Sequence, residues 1–288
     1  MKSSTPEASP GPFPSLGVAI WQPGPGGDSP RARLAALDRA LAARGNGRVD
    51  VVLCPELFSC GYGAGDGFRR LAETCDGSFA RAAGKLARRH GCTIVYGYAE
   101  RDATDATLYN AAAAIGLDGR LLANRRKALL PTEYERSWFA AGDHGPTFLD
   151  VGGWKVALLI CYEVEFPELV RAAAAGGAAL VLVPTALTGD WNVVSRRVVP
   201  ARAFENGIFL AYANHGAPDG TFAFAGESCI VGPDGQDLAR SGPGGVLMTA
   251  TLDPAVLHRM RARLPYLQDS AGLGAARPLA PPTGARTT

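Results

Sequence analysis

One pattern of short apolar runs and Ala/Arg/Leu-rich helical stretches occurs twice along this chain, and that repeat limits what it can fold into. GVAIWQ (17–22), a helical pattern at 30–44, VDVVLC (49–54), a helix through 68–90, CTIVYGYAE (92–100) and a hairpin LYNAAAAIGLDGRLLANRRK (108–127) form the first half. KVALLIC (155–161), a helix near 165–175, AALVLVP (178–184), a helix near 193–206, IFLAYANH (208–215) and a hairpin GESCIVGPDGQDLARSG (226–242) form the second. The hairpin turns GLDGRLLA and GPDGQDLA are alike enough that chance explains them poorly. Strands that alternate with helices place helices on sheets, and two such sheets must bury their remaining apolar faces on each other. The expected fold is an α/β four-layer α-β-β-α sandwich of two pseudo-repeated β-α-β-α-β-β halves. The packed domain is expected over 16–264, after a flexible lead at 1–15 and before a tail at 265–288 that is partly flexible or held at an oligomer interface; its end, ARPLAPPTGARTT, is rich in Pro, Gly and Thr.

In open α/β sheets, ligands bind beyond the carboxyl ends of the strands. VDVVLC runs into Pro55 and Glu56, KVALLIC ends on Cys161 with Glu163 just after, AALVLVP leads to Thr185, and the outgoing hairpin strand ends in Arg-Arg-Lys at Lys127. A carboxylate, an ammonium and a thiol are thereby placed to converge.

Charge and composition exclude several classes. The chain has 288 residues, 47% of them hydrophobic, which is enough for a sizeable core. Its 29 basic and 27 acidic residues are dispersed and give a formal charge of +2, without the basic stripe of a nucleic-acid or membrane-surface binder. No apolar run is long enough to span a bilayer, and MKSSTPEASPGPFPS has no signal-peptide core, so a cytoplasmic location is expected. Six cysteines in such a setting read as reduced thiols, with Cys54, Cys92 and Cys229 in apolar runs as packing residues and no CxxC pair. The four histidines, His90, His144, His215 and His258, are widely separated and read mostly as surface or loop residues, so no metal site is expected. GYGAGDG (61–67) has Asp66 where a dinucleotide fingerprint needs its third glycine, and GESCI has Ile230 where a serine-hydrolase elbow needs glycine.

A buried cysteine commonly just fills space, so Cys161 needs partners to be chemical. A thiol is a strong nucleophile only as thiolate, which calls for a base to take its proton or a cation to stabilise the anion. Glu56 fits the base. Lys127 fits the cation, stabilising first the thiolate and then the oxyanion formed on attack at a carbonyl, together with the backbone N–H of Tyr162. The product of that attack is a thioester, and no metal or organic cofactor is called for.

Three stretches carry a resemblance to a known family. PELFSCGY (55–62), NRRKALLPTEYERSWFAAG (124–142) and LLICYEVEFPE (158–168) resemble, in order, the glutamate, lysine and cysteine motifs of the nitrilase or carbon-nitrogen hydrolase superfamily. The resemblance implies the α-β-β-α fold, a triad of Glu56, Lys127 and Cys161, and a homodimer or larger homo-oligomer. It also implies a role for Glu133 as a second carboxylate that orients substrate and supports the triad.

The family hydrolyses nitriles, primary amides and carbamoyl amines, so the triad alone does not choose among them. CYEVEFPE is more similar to the single-domain amidases that act on small carboxamides than to true nitrilases, which typically have Trp-Glu after the cysteine. A small linear carboxamide is therefore the expected substrate; an N-carbamoyl amine or amino acid, or a nitrile, is the alternative, and a non-catalytic binding protein on this scaffold the bland one. Tyr62, Glu163, Thr185, Asp190 and Trp191 are the candidate substrate-binding residues, with Trp191 an apolar wall and Asp190 an anchor for an amine. Glu135, Glu163, Glu165 and Asp190 add acidity around the expected pocket, which fits a substrate with a positive amino group.

Overall fold

A computed structural model of the chain describes residues 13–27, 29–45 and 47–273; most of the expected lead (1–15) and the end of the tail beyond 273 lie outside the described residues. The first half comprises β1 (Leu16–Gln22), α1 (Pro30–Ala43), β2 (Val51–Leu53), α2 (Gly67–Leu71), α3 (Ser78–His90), β3 (Thr93–Arg101), β4 (Leu108–Ile115), β5 (Leu121–Arg126) and α4 (Glu133–Trp138). After β6 (Thr147–Val151) come β7 (Trp154–Leu158), α5 (Pro167–Ala175), β8 (Leu180–Pro184), α6 (Val199–Asn206), β9 (Phe209–Ala213), β10 (Cys229–Val231), β11 (Asp237–Arg240), β12 (Val246–Leu252), α7 (Pro254–Arg263) and α8 (Tyr266–Ala271).

Alternation along the strands decides the layers. Val18, Ile20, Val51 and Leu53 of the first sheet face Val156, Leu158, Leu180 and Leu182 of the second in one core. The residues between them point outward: Ala19 and Val52 pack under α1 and α3, while Ala157, Val181 and Val183 pack under α5 and α6. Strands covered on both faces read as continuous apolar runs, which is why LVLVP and VAL (156–158) have no polar alternation. This is the α-β-β-α sandwich the repeat calls for.

The sheets run β12-β1-β2-β3-β4-β5 and β11-β10-β9-β8-β7-β6. In each, three parallel strands lead into an antiparallel hairpin. The two hairpin turns match bond for bond: Gly116 N–H donates to Arg120 and Gly232 N–H to Gln236, both at 2.8 Å, and Gly119 and Gly235 take φ of 80° and 77°. The sequence reading missed one strand per half. β6 ends the first half but pairs with β7, and β12 ends the second but pairs with β1, so each half lends its last strand to the other sheet. β12 hid because it is mostly exposed or half-buried.

The helix expected over 68–90 is broken between α2 and α3. There Glu73 leaves the helix to bridge Glu100 of β3, and its carboxylate accepts the Phe79 N–H at 2.7 Å at the start of α3.

Candidate active site

Strand ends deliver the groups. Three residues past β2 comes Glu56, and the chain turns at once through Leu57 in a left-handed conformation, φ 50°. Gly97 of β3 makes the turn possible: a Cβ there would meet Leu57 N at 2.3 Å and Glu56 Cα at 2.6 Å. Cys161 is left-handed too, φ 47°, at the first residue of a short 3-10 turn, Cys161–Glu165. A non-glycine residue held there costs about 1–3 kcal/mol, which rigid surroundings must offset. β5 alternates, so Arg125 and Lys127 face inward while Arg126 turns out to Glu100 and Asp102.

Lys127 is wholly buried between two carboxylates. Its Nζ donates to Glu56 Oε1 at 2.6 Å and to Glu135 at 2.8 and 2.9 Å. Three carboxylate oxygens thus surround the three ammonium N–H groups. Burial disfavours the charge on Lys127, but Glu56 and Glu135 outweigh it and its pKa rises above the ordinary lysine value. Glu56 Oε1 also accepts from Asn110 Nδ2 at 2.6 Å, whereas Glu56 Oε2 has no hydrogen-bond partner among the described residues. Burial lifts the Glu56 carboxyl above its usual range and Glu135 adds to the rise, against the opposing pull of Lys127 and Asn110. The cluster can therefore hold or release a proton at Glu56 while Lys127 stays charged.

Cys161 lies partly exposed on a cavity of about 350 Å³, walled by Tyr62, Leu187, Trp191 and Phe222. Burial raises its thiol pKa, with Glu56 adding to the rise and Lys127 and the Ala186 N–H opposing it, so the resting form is the thiol. The Thr185 hydroxyl stands 3.0 Å from Sγ and 2.8 Å from the Tyr212 hydroxyl. Behind Glu56, His215 Nε2 lies 2.7 Å from its backbone carbonyl, which can only accept, so Nε2 carries the proton. Burial holds the His215 pKa down to about 4, and the ring is neutral.

The carbon-nitrogen hydrolase family profile matches residues 17–262. The chain belongs to that family. It is 38% identical over 221 residues to a hydrolase in the pqqF 5′ region of Pseudomonas protegens, covering 76% of this chain and 77% of that one. Against an (R)-stereoselective amidase of a Pseudomonas species it is 34% identical, covering 77% and 80%. Among solved structures, the amidase of Nesterenkonia sp. AN1 in complex with butyramide superposes with a TM-score of 0.76 at 36% identity, over 88% of this chain and 98% of that one. This carbon-nitrogen hydrolase thus acts on carbon-nitrogen bonds other than peptide bonds.

Of the residues singled out in its sequence, Glu56, Lys127, Thr185 and Cys161 are brought together. Glu133 is not: it sits exposed at the start of α4, whose N-cap is Thr132, and the carboxylate against Lys127 is Glu135, one turn face further on. In the sequence α4 reads as loop, which hides the two-residue difference. Tyr62 is buried in the cavity wall, and its hydroxyl donates to Glu135 Oε1 at 2.7 Å.

Glu163 corrects a second expectation. It is fully buried and spent inside the hydrolase: it accepts from Arg125 at 2.5 and 2.9 Å, from Ala128 N–H at 2.9 Å and from Ile160 N–H at 2.7 Å. That brace ties the chain beside Lys127 to the chain beside Cys161, and Glu163 is not part of the cavity lining. Trp191 lines the cavity mouth at 63% exposure, while Asp190 is exposed on its short turn and is not part of the cavity lining. His215 is buried rather than on the surface. Asn110 reads in the sequence as an ordinary strand residue, and Glu135 only as one of several acidic residues around the pocket.

Among the described residues no group of three or more His, Cys, Asp and Glu is placed to hold a metal ion, and no helix is long and apolar enough to cross a membrane. All six cysteines are free.

Proposed function

We propose that this hydrolase is an amidase that converts a small linear carboxamide into the free acid and ammonia through a thioester on Cys161. The observation that carries the reading is the buried Lys127 ammonium held between Glu56 and Glu135, with the unpartnered Glu56 Oε2 beside a cavity that contains Cys161. In the first half-reaction Glu56 takes the Sγ proton as sulfur attacks the carbonyl carbon. The Lys127 ammonium and the Tyr162 backbone N–H stabilise the oxyanion. Glu56 then passes the proton to the amide nitrogen, the C–N bond breaks and ammonia leaves. In the second, Glu56 takes a proton from water, the hydroxide attacks the thioester carbon, the C–S bond breaks, and the proton returns to the thiolate as the acid departs. Glu135, in the place expected for Glu133, keeps Lys127 charged and oriented, and Tyr62 fixes Glu135. All roles are filled by side chains or backbone.

The raised pKa of the Cys161 thiol supports a base that acts during attack rather than a thiolate held at rest. The relatives named as amidases, and the butyramide bound by one of them, support amides over nitriles. The test is ammonia release from small amides, matched nitriles and N-carbamoyl amino acids by wild type and Cys161→Ala. Amide turnover confined to the wild type is expected. Turnover that survives Cys161→Ala would overturn the mechanism, and turnover of only nitriles or carbamoyl compounds would overturn the substrate class.

A further inference from the structure

Four carboxylates near the site could meet a positive amino group: Glu135, Glu163, Glu165 and Asp190. Three are excluded by their contacts. Glu135 is bound by Lys127 and Tyr62, Glu163 by Arg125 and two backbone N–H groups, and Asp190 is exposed away from the cavity lining. Glu165 differs from all of them. It is half-buried, it lines the same cavity as Cys161, and among the described residues its carboxylate has no hydrogen-bond or ion-pair partner. The nearby Arg202 is committed elsewhere, to the Val164 and Glu165 backbone carbonyls and to the Glu205 carboxylate.

The cavity around it is built for a cation. Its described lining contains no Lys, Arg or His, so an anionic acyl chain finds no counter-charge. Tyr62, Tyr162, Trp191 and Phe222 supply aromatic faces, which attract an ammonium group through the ring quadrupole. Lys127 lies behind the floor with its charge already opposed by two carboxylates. Glu165 follows Cys161 by one 3-10 turn and a residue, a rise of roughly 8 Å at about 2.0 Å per residue, which is the scale of a short acyl chain. Burial lifts the Glu165 carboxyl above its ordinary value, against opposing pulls from Lys127 and Arg202, so a cation brought into the cavity would relieve an unfavourable charge.

The geometry points to Glu165 as the specificity-determining residue that anchors a protonated amine on the acyl chain, so that the preferred substrates are short ω-amino carboxamides. This inference rests on the amidase reading but can fail apart from it. The probes are 3-aminopropanamide, its neutral isostere butyramide and the anionic succinamate, compared by kcat/KM in wild type, Glu165→Gln and Glu165→Arg. Binding of 3-aminopropanamide to Cys161→Ala, with and without Glu165→Gln, is measured by calorimetry alongside.

Wild type is expected to favour the amine over butyramide and to discriminate against succinamate. Glu165→Gln should lower the amine-to-butyramide ratio about tenfold or more, mostly through KM, and Glu165→Arg should shift the order toward succinamate. An unchanged ratio, or an equal fall for all three amides as expected if Glu165 only steadied Lys127, would overturn the inference. If no amide is turned over yet the amine binds and Glu165→Gln removes that binding, the anchor stands and the amidase reading falls. If no amide is turned over and the amine does not bind, both fall.

Discussion

The two sides of the molecule's pseudo-twofold are built from the same strand ends and have opposite fates. Counted along the paired registers, Leu53 matches Leu182 and Ile20 matches Leu158, so Glu56 stands where Thr185 stands and Cys161 where Pro23 stands. The hairpins carry the same count to Lys127 and Pro243. Glu56 and Thr185 meet near the axis, with Glu56 N–H donating to the Thr185 carbonyl at 3.3 Å. On one side of them Cys161 faces a cavity, with Lys127 buried behind its floor. On the other, Pro23 and Pro243 lead into glycine turns that close together: Gly24 packs backbone to backbone on Gly245, Pro23 accepts from Gly216, and Gln22 Nε2 donates to Gly242 and Gly244 at 2.8 and 2.6 Å. The fold thus offers two equivalent sets of strand ends, and residue identity at three positions gives only one of them a thiol, an ammonium and a carboxylate.

The largest expected effect breaks this comparison directly. Cys161→Ala should lose amide hydrolysis by at least about a thousandfold in a steady-state ammonia assay. Pro23→Cys on that background should restore none of it, because the positions matching Lys127 and Glu56 on that side are Pro243 and Thr185. Recovered activity in the double variant would mean that the fold, and not the Glu56–Lys127 cluster, activates the thiol.

Next comes the second carboxylate. Glu135→Gln removes one of two charges holding Lys127 and should lower kcat about a hundredfold or more, the scale of a lost acid-base or charge-stabilising group. Glu133→Gln, at an exposed position, should change kcat by less than about twofold. The reverse order in a kinetic comparison would return the role to Glu133.

Gly97 tests the asymmetry in the backbone. Its register counterpart is Ala213, which carries a Cβ without difficulty, whereas a Cβ at Gly97 would drive into the Glu56 turn. Gly97→Ala should cost about 1–3 kcal/mol in denaturant unfolding and lower activity with it, while Ala213→Gly should cost about 1 kcal/mol or less. Equal effects at the two positions would contradict the close approach.

The smallest effect is in the pH profile. Glu56 must be ionised to receive the thiol proton, and its pKa in the folded protein is raised. Activity should therefore climb with pH through that lifted value, with the acid limb of kcat/KM above the roughly 4.3 of an unperturbed glutamate. Because a raised carboxyl pKa favours the protonated form in the folded state, the Glu56 contribution to stability is fully present below the unfolded value and is lost as pH rises through the folded one. An acid limb at or below about 4.3 would show that Glu56 is not the base.

Most of the scaffold was legible because it follows from apolar runs and turn chemistry. The repeat, both hairpins and the three positions Glu56, Lys127 and Cys161 sit at strand ends, where period-two patterning points. What stayed hidden depends on contacts across distant segments. β6 and β12 take their place from the opposite half, Asn110 reads as an ordinary strand residue until it reaches Glu56, and Glu163 and Glu165 look equivalent in CYEVEFPE although one is locked to Arg125 and the other faces the cavity. Glu133 and Glu135 are separated only by the placement of a single helical turn.

The most direct test of the claim that the open side works through Cys161 is peptide mass mapping of the enzyme acid-quenched during butyramide turnover. A butyryl adduct on the peptide containing Cys161, absent without substrate, is the expected result. Rapid turnover with an unmodified Cys161, or an adduct on another residue, would contradict it.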